Sequence, residues 1–241
     1  MKSRKLVFVA LALLLFGLAA WCSASASTPF TVVYDTSQNP LAWVPVNPAT
    51  VEGTGVKGLD LTRGPGVEPN DLTRGFSARG WPGAYSIEEA VAKGKYFQFG
   101  LITEAVVSLS TLDMALRRSA VAAPMDYEVH VSLDDFATPG IVMAKFSYYG
   151  RTSGTAPAID PLEKDPYYYM HSDLPGRPNT TSSPGDPIPT IDLTKYAQLQ
   201  NIPAGVTVTF RLYTWATYDT KETSTVSFGR MTGPMIKGVA H

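Results

Sequence analysis

Apolar side chains recur at every second position through much of this chain. In Tyr96–Ile102, Phe97, Phe99 and Leu101 alternate with Tyr96, Gln98 and Gly100. Leu112, Met114 and Leu116 alternate with Asp113, Ala115 and Arg117. Tyr127, Val129, Val131 and Leu133 alternate with Glu128, His130 and Ser132. A period of two is the side-chain period of a sheet with one buried and one solvated face. Lys95–Phe136 therefore predicts three successive strands. Val206–Ala216 repeats the pattern: Val206, Val208, Phe210 and Leu212 face one way, and Thr207, Thr209, Arg211, Tyr213 and Trp215 the other. Shorter strands are predicted at Phe30–Tyr34, Ile141–Tyr149, Thr225–Phe228 and Met235–Val239. The best helical stretch is Ser86–Ala92, where Ser86 is placed to cap and Glu89 follows three residues later.

The segments between these strands are rich in turn formers. Thr36–Thr73 reads as long loops with short edge strands. Within it, Gly53-Thr54-Gly55-Val56-Lys57-Gly58 has the spacing of a dinucleotide-binding loop. That motif needs a strand before it and a helix after it, and neither is predicted, so the glycines read as a turn. Gly150–Thr190 carries eight of the 19 prolines and predicts one long irregular loop. Many short strands without alternating helices predict an all-β fold. The expected architecture is a two-sheet antiparallel β-sandwich, jelly-roll-like, forming a single domain over residues 27–241. Phe97, Phe99, Leu112, Leu116, Val129 and Val131 are its expected half core, completed by Val206–Leu212.

The N-terminus has a different character. Lys2, Arg4 and Lys5 precede the apolar run Leu6–Ala20, and Ala24-Ser25-Ala26 supplies small residues for cleavage. Residues 1–26 are the layout of a secretory signal peptide. The apolar stretch through Cys22 is 17 residues long, at the lower limit for a membrane span. Cleavage removes three of the 20 basic residues and no acidic one, leaving 17 against 21, a net charge of −4. No basic stripe marks a nucleic-acid partner. The remaining 215 residues lack cysteine, since Cys22 is the only one. An exported chain without disulfides must hold together by core packing, which fits a bacterial exoprotein. The expected location is extracellular or periplasmic, with no stable membrane span after cleavage.

Several phrases occur in a fixed order. They are Leu61-Thr62-Arg63-Gly64-Pro65-Gly66-Val67, Phe76-Ser77-Ala78-Arg79-Gly80-Trp81 and Tyr96-Phe97-Gln98-Phe99, followed by Leu109-Ser110-Thr111-Leu112 with Arg117-Arg118-Ser119. Val131-Ser132-Leu133-Asp134-Asp135-Phe136 and Thr209-Phe210-Arg211-Leu212-Tyr213 complete the set. Together they resemble the bacterial exported β-sandwich proteins that often carry a PEP-CTERM sorting tail. The resemblance covers roughly Leu59–Val239 and implies a jelly-roll-like domain outside the cytoplasm. The Pro-Glu-Pro motif, terminal apolar helix and basic tail are not in this sequence, so free secretion or periplasmic residence is expected rather than surface sorting.

Motifs of catalysis are sparse. There is no G-x-S-x-G, and no His pair has metal-ligand spacing. Glu88-Glu89 and Asp134-Asp135 are adjacent in sequence, which does not make an acid/base pair, and Asp134-Asp135 reads as turn chemistry. No cofactor is expected. A structural calcium ion held by loop carboxylates such as Asp160, Asp165, Asp173 and Asp186 is left open, since such sites leave no motif. The feature with most chemistry is the polar face of the strands. Arg211, Tyr213 and Trp215 form one stripe, and Glu128 and His130 lie on the corresponding face of their own strand. Aromatic rings beside polar groups stack on sugar rings and bond their hydroxyls. Tyr167, Tyr168 and Tyr169 are a second candidate platform. Packing beneath the long loop is the competing reading of all these aromatics. The expected function is a non-enzymatic, exported β-sandwich binding an extracellular polysaccharide or another surface component. A structural envelope or matrix protein is the alternative, and a polysaccharide hydrolase or lyase the second.

Overall fold

In chain order the strands are β1 (Thr28–Val33), β2 (Thr50–Glu52), β3 (Val56–Arg63), β4 (Glu68–Pro69), β5 (Phe76–Arg79), β6 (Tyr96–Thr103), β7 (Val107–Asp113) and β8 (Ala115–Arg118). They continue with β9 (Asp126–Ser132), β10 (Ile141–Gly150), β11 (Tyr167–Ser172), β12 (Asp186–Pro187), β13 (Ile191–Asp192), β14 (Thr207–Trp215), β15 (Val226–Phe228) and β16 (Met235–Ala240). One α-helix, α1 (Ile87–Ala92), stands between β5 and β6. The computed structural model describes residues 27–37, 44–70, 75–118, 126–150, 167–172, 185–215, 225–229 and 233–241. The expected signal peptide, and Asp160, Asp165 and Asp173, lie outside them.

The fold is all-β and sandwich-like. One layer is a continuous six-stranded sheet in the order β11-β10-β9-β14-β6-β3. Its pairs are antiparallel except β10 with β11, which run parallel. The other two sheets have the orders β13-β7-β16-β1-β2 and β12-β8-β15-β5-β4. These correspond column by column. β7 and β8 are one run of chain broken only at Met114, and β12 and β13 are parted by three residues. Backbone bonds bridge the break, from Ile188 N–H to Met114 C=O at 3.1 Å and from Gly229 N–H to Ala115 C=O at 2.8 Å. The second layer is thus a five-column sheet divided across its middle.

Alternation places the core. Phe97, Phe99 and Leu101 of β6, Val208, Phe210 and Leu212 of β14, and Tyr127, Val129 and Val131 of β9 are all fully buried. Phe30, Val32, Leu109, Leu112, Leu116, Phe76, Phe228 and Ile236 meet them from the divided layer. Phe97 joins the layers, with ring centroids 5.1 Å from Phe228, 5.6 Å from Trp81 and 6.0 Å from Phe76. At roughly 25 cal/mol per Å² of buried apolar area, these side chains are the main source of stability.

Three features differ from simple alternation. The strands of Lys95–Phe136 are successive in sequence but not neighbours: β6 and β9 flank β14, while β7 and β8 belong to the opposite layer. The register of β7 with β16 slips at Ser110, so Leu109 and Leu112 both point inward although three residues apart. The stretch 150–190, expected as irregular loop, contains β11 and β12 at sheet edges.

α1 begins as its sequence predicts. The Ser86 hydroxyl accepts the Glu89 N–H at 3.3 Å, and the Glu89 carboxylate turns back to the Tyr85 N–H at 2.9 Å. Its buried residue, Ala90, packs with Ala84 against Tyr213, and Ile87, Tyr96 and Trp215 complete this small cluster. The helix therefore covers one end of the outer face of the continuous layer.

Candidate functional site

Register brings the predicted polar-face residues together. Arg211 of β14 lies opposite Gln98 of β6 and His130 of β9. Tyr213 lies opposite Tyr96 and Glu128, and Glu128 lies opposite Lys145 of β10. Two adjacent rows of side chains thus cross the outer face of the sheet. Arg211 Nε donates to Gln98 Oε1 at 2.8 Å, and its Nη1 donates to Tyr213 Oη at 3.4 Å. The guanidinium carbon stands 4.4 Å from the Tyr96 ring centroid and 4.0 Å from that of Phe136. Glu128, 4% exposed, bonds His130 Nε2 at 2.8 Å and Lys145 Nζ at 3.3 Å.

The turn after β9 delivers Phe136 to this face. Asp135 and Phe136 both adopt left-handed backbone, with φ of 54° and 62°. Such conformations cost about 1–3 kcal/mol each and persist where surrounding bonds impose them. Ser132 Oγ imposes this one, accepting the N–H of Asp134 at 3.1 Å and of Phe136 at 2.8 Å. It also donates to Asp134 Oδ1 at 2.6 Å, while Asp134 Oδ2 takes the Thr138 N–H and hydroxyl. These bonds hold the Asp134 carboxyl below its ordinary range. Asp134-Asp135 is turn chemistry, as its sequence predicts.

The aromatic stripe is less open than its polarity implies. Tyr213 is 2% exposed, its ring edge-on to Tyr96 at 5.4 Å and to His130 at 5.0 Å. Burial pushes its phenol pKa up, against the lowering effect of Arg211. Trp215 is half-buried under α1. The Tyr213 ring therefore presents no free face to a flat ligand. Tyr167, Tyr168 and Tyr169 form part of β11, in register with Lys145, Phe146 and Ser147; only their backbone is described.

A cavity lies elsewhere. A cleft of about 620 Å³ opens at the seam of the divided layer. Its walls come from the end of β1 (Val33, Asp35, Ser37), from β2 (Thr50, Glu52) and from the β7–β8 break (Asp113, Met114). Ile188, Thr190 and Met235 complete it. Two of the three acidic groups are braced. Asp35 Oδ1 accepts the Ser37 N–H at 2.8 Å and hydroxyl at 2.6 Å. Asp113 accepts the Thr190 hydroxyl at 2.5 Å and pairs with Lys237 at 3.5 Å. Sequence reasoning missed this cleft because its lining comes from separate segments. The signals at hand, Pro187, Pro189 and the Gly233-Pro234 pair, mark breaks but not what they enclose.

Among the described residues no three His, Cys, Asp or Glu side chains converge as metal ligands. A Ser–His contact exists at the surface, with Ser108 Oγ 2.8 Å from His241 Nε2. Ser108 Oγ also accepts the Asn201 N–H at 3.0 Å, so one of its lone pairs is engaged in holding the chain. No family model, curated protein or solved structure matches this chain.

Proposed function

We propose that this protein is an exported, non-catalytic β-sandwich that binds an extracellular polysaccharide in the cleft at the seam of its divided layer. The observation that carries the reading is the cleft itself. Its volume, about 620 Å³, lies in the range of pockets for small ligands. Hydroxyls of Ser37, Thr50 and Thr190 and the carboxylates of Asp35 and Glu52 line it beside apolar Val33, Met114 and Met235. That mixture matches a sugar, whose hydroxyls need both donors and acceptors and whose C–H face needs apolar contact. Export is read from residues 1–26, and the absence of cysteine beyond them fits a secreted bacterial protein stabilised by its core. The PEP-CTERM resemblance points to the same compartment.

The test is binding of the purified protein to a glycan array and to insoluble polysaccharides. Thr50→Trp places an indole in the cleft from an exposed edge-strand position and should abolish binding of neutral glycans without changing the melting temperature. Failure to bind any neutral glycan, or neutral-glycan binding unchanged by Thr50→Trp, refutes the reading. Release of reducing ends from a bound polysaccharide refutes its non-catalytic part.

A further inference from the structure

Arg211 is a positioned guanidinium with no carboxylate partner among the described residues. Its two bonds to Gln98 and Tyr213 use Nε and Nη1. The guanidinium carbon lies over the Tyr96 ring, 4.4 Å from its centroid, and over the Phe136 ring, 4.0 Å from its centroid. Both rings therefore pack against the cation. Arg211 is still partly exposed.

No carboxylate lies within ion-pairing distance of Arg211 among the described residues. The nearby acids are engaged elsewhere. Glu128 is shared by His130 and Lys145, Asp134 is held by Ser132 and Thr138, and Asp135 Oδ1 accepts from Thr209 Oγ1 at 3.3 Å. A partly desolvated charge is normally paired. Here two rings pack against the cation, two bonds from Nε and Nη1 hold it, and Nη2 donates to none of the described residues. That is a preorganised receptor for a planar oxyanion, which guanidinium binds through parallel N–H···O bonds.

We propose that Arg211 anchors a second binding site, separate from the seam cleft, which takes the carboxylate of a uronic acid residue. The sugar part rests on the polysaccharide reading above; the carboxylate part rests on Arg211 alone. Gln98 and the exposed rims of Tyr96 and Phe136 border the guanidinium and would meet the sugar ring.

The experiment is calorimetric titration of the purified protein with trigalacturonate, with the neutral galactose trisaccharide, acetate and sulfate run in parallel. Trigalacturonate should bind, and more weakly in 0.5 M NaCl, whereas the neutral trisaccharide should not bind at this site. Arg211→Lys keeps the charge but not the fork, and should weaken trigalacturonate binding at least tenfold with an unchanged melting temperature. Phe136→Ala, in an exposed turn, removes one clamp and should weaken it several-fold, which serves if the Arg211 variant melts early. Thr50→Trp should leave trigalacturonate binding intact, so failure of the cleft reading and failure of this one are distinct. Equal affinity of the Thr50→Trp protein for the neutral trisaccharide, or no loss in both Arg211→Lys and Phe136→Ala, overturns the site. Sulfate binding as tightly as trigalacturonate overturns the carboxylate assignment, and acetate binding as tightly overturns the sugar.

Discussion

Tyr34→Phe deletes one oxygen from the centre of the sandwich. Tyr34 follows β1 in the divided layer, yet its hydroxyl reaches the continuous layer. Oη lies 2.8 Å from Leu59 C=O and 2.7 Å from Gly100 C=O, and accepts the Gly100 N–H at 2.9 Å. The cause is a register slip: β3 and β6 pair at Leu59 and again at Thr62, with Asp60 and Leu61 bulged between. The bulged Leu61 pairs instead with Asn47, at 2.8 and 2.9 Å. Gly100 and Leu59 are left with polar groups facing a gap, and the phenol fills it. Phenylalanine keeps the ring packed edge-on to Phe99 at 5.7 Å, so no large cavity opens. What is lost is the acceptor of the buried Gly100 N–H and the one hydroxyl proton shared between the two carbonyls. Leaving a buried partner unsatisfied costs about 1–3 kcal/mol. Taking about 2 kcal/mol, the melting temperature of a chain this size should fall by roughly 4–8 °C. Denaturant unfolding and calorimetry of the two proteins measure both numbers. A loss below about 0.5 kcal/mol, the range of ordinary surface substitutions, would refute the ladder-filling role. The same group has an alkaline signature. Burial raises the Tyr34 pKa well above its ordinary 10.0, more than the Gly100 N–H lowers it. The unfolded chain releases this proton from about pH 10 while the folded chain retains it, so stability is present below pH 10 and falls as pH rises beyond. Tyr34→Phe should flatten that fall.

Gly100→Ala should abolish folding, because a Cβ there would stand 2.1 Å from Val208 C=O in the paired strand; expression and circular dichroism decide it. Phe97→Ala should cost about 3–5 kcal/mol in denaturant unfolding, since it empties the contact of both layers with Trp81 and Phe228. A loss under about 1.5 kcal/mol would mean the layers close over the gap. Hydrogen bonds lower the Asp134 pKa below 3.8, so the unfolded state takes up its proton first as pH falls. Its contribution is present above pH 3.8 and lost below it, and Asp134→Asn should reduce the acid-induced drop in melting temperature.

The polar face was legible in the sequence as far as alternation reaches. Arg211, Tyr213 and Trp215 share a face because odd positions of one strand must. That Glu128 and His130 join them depended on β9 lying beside β14, which no local signal specifies. Their exposure was not legible at all. α1 lies over Tyr213 because its Ala90 is small enough for close packing, and this turned an apparent stacking platform into a covered one. Phe136, which had no role in the sequence pattern, became half of the clamp on Arg211 through a turn that Ser132 holds.

Alternating apolar positions by themselves determined an all-β chain and named its core, since a period-two strand has only two faces and water selects which is buried. Turn residues likewise determined where strands stop and where α1 starts. Tertiary structure alone decided which strands became neighbours, where the second layer divides and what the division encloses. Those outcomes depend on pairing between distant segments. The seam cleft draws on Asp35, Glu52, Asp113, Thr190 and Met235, residues whose proximity is a property of the packed layers rather than of any stretch of chain.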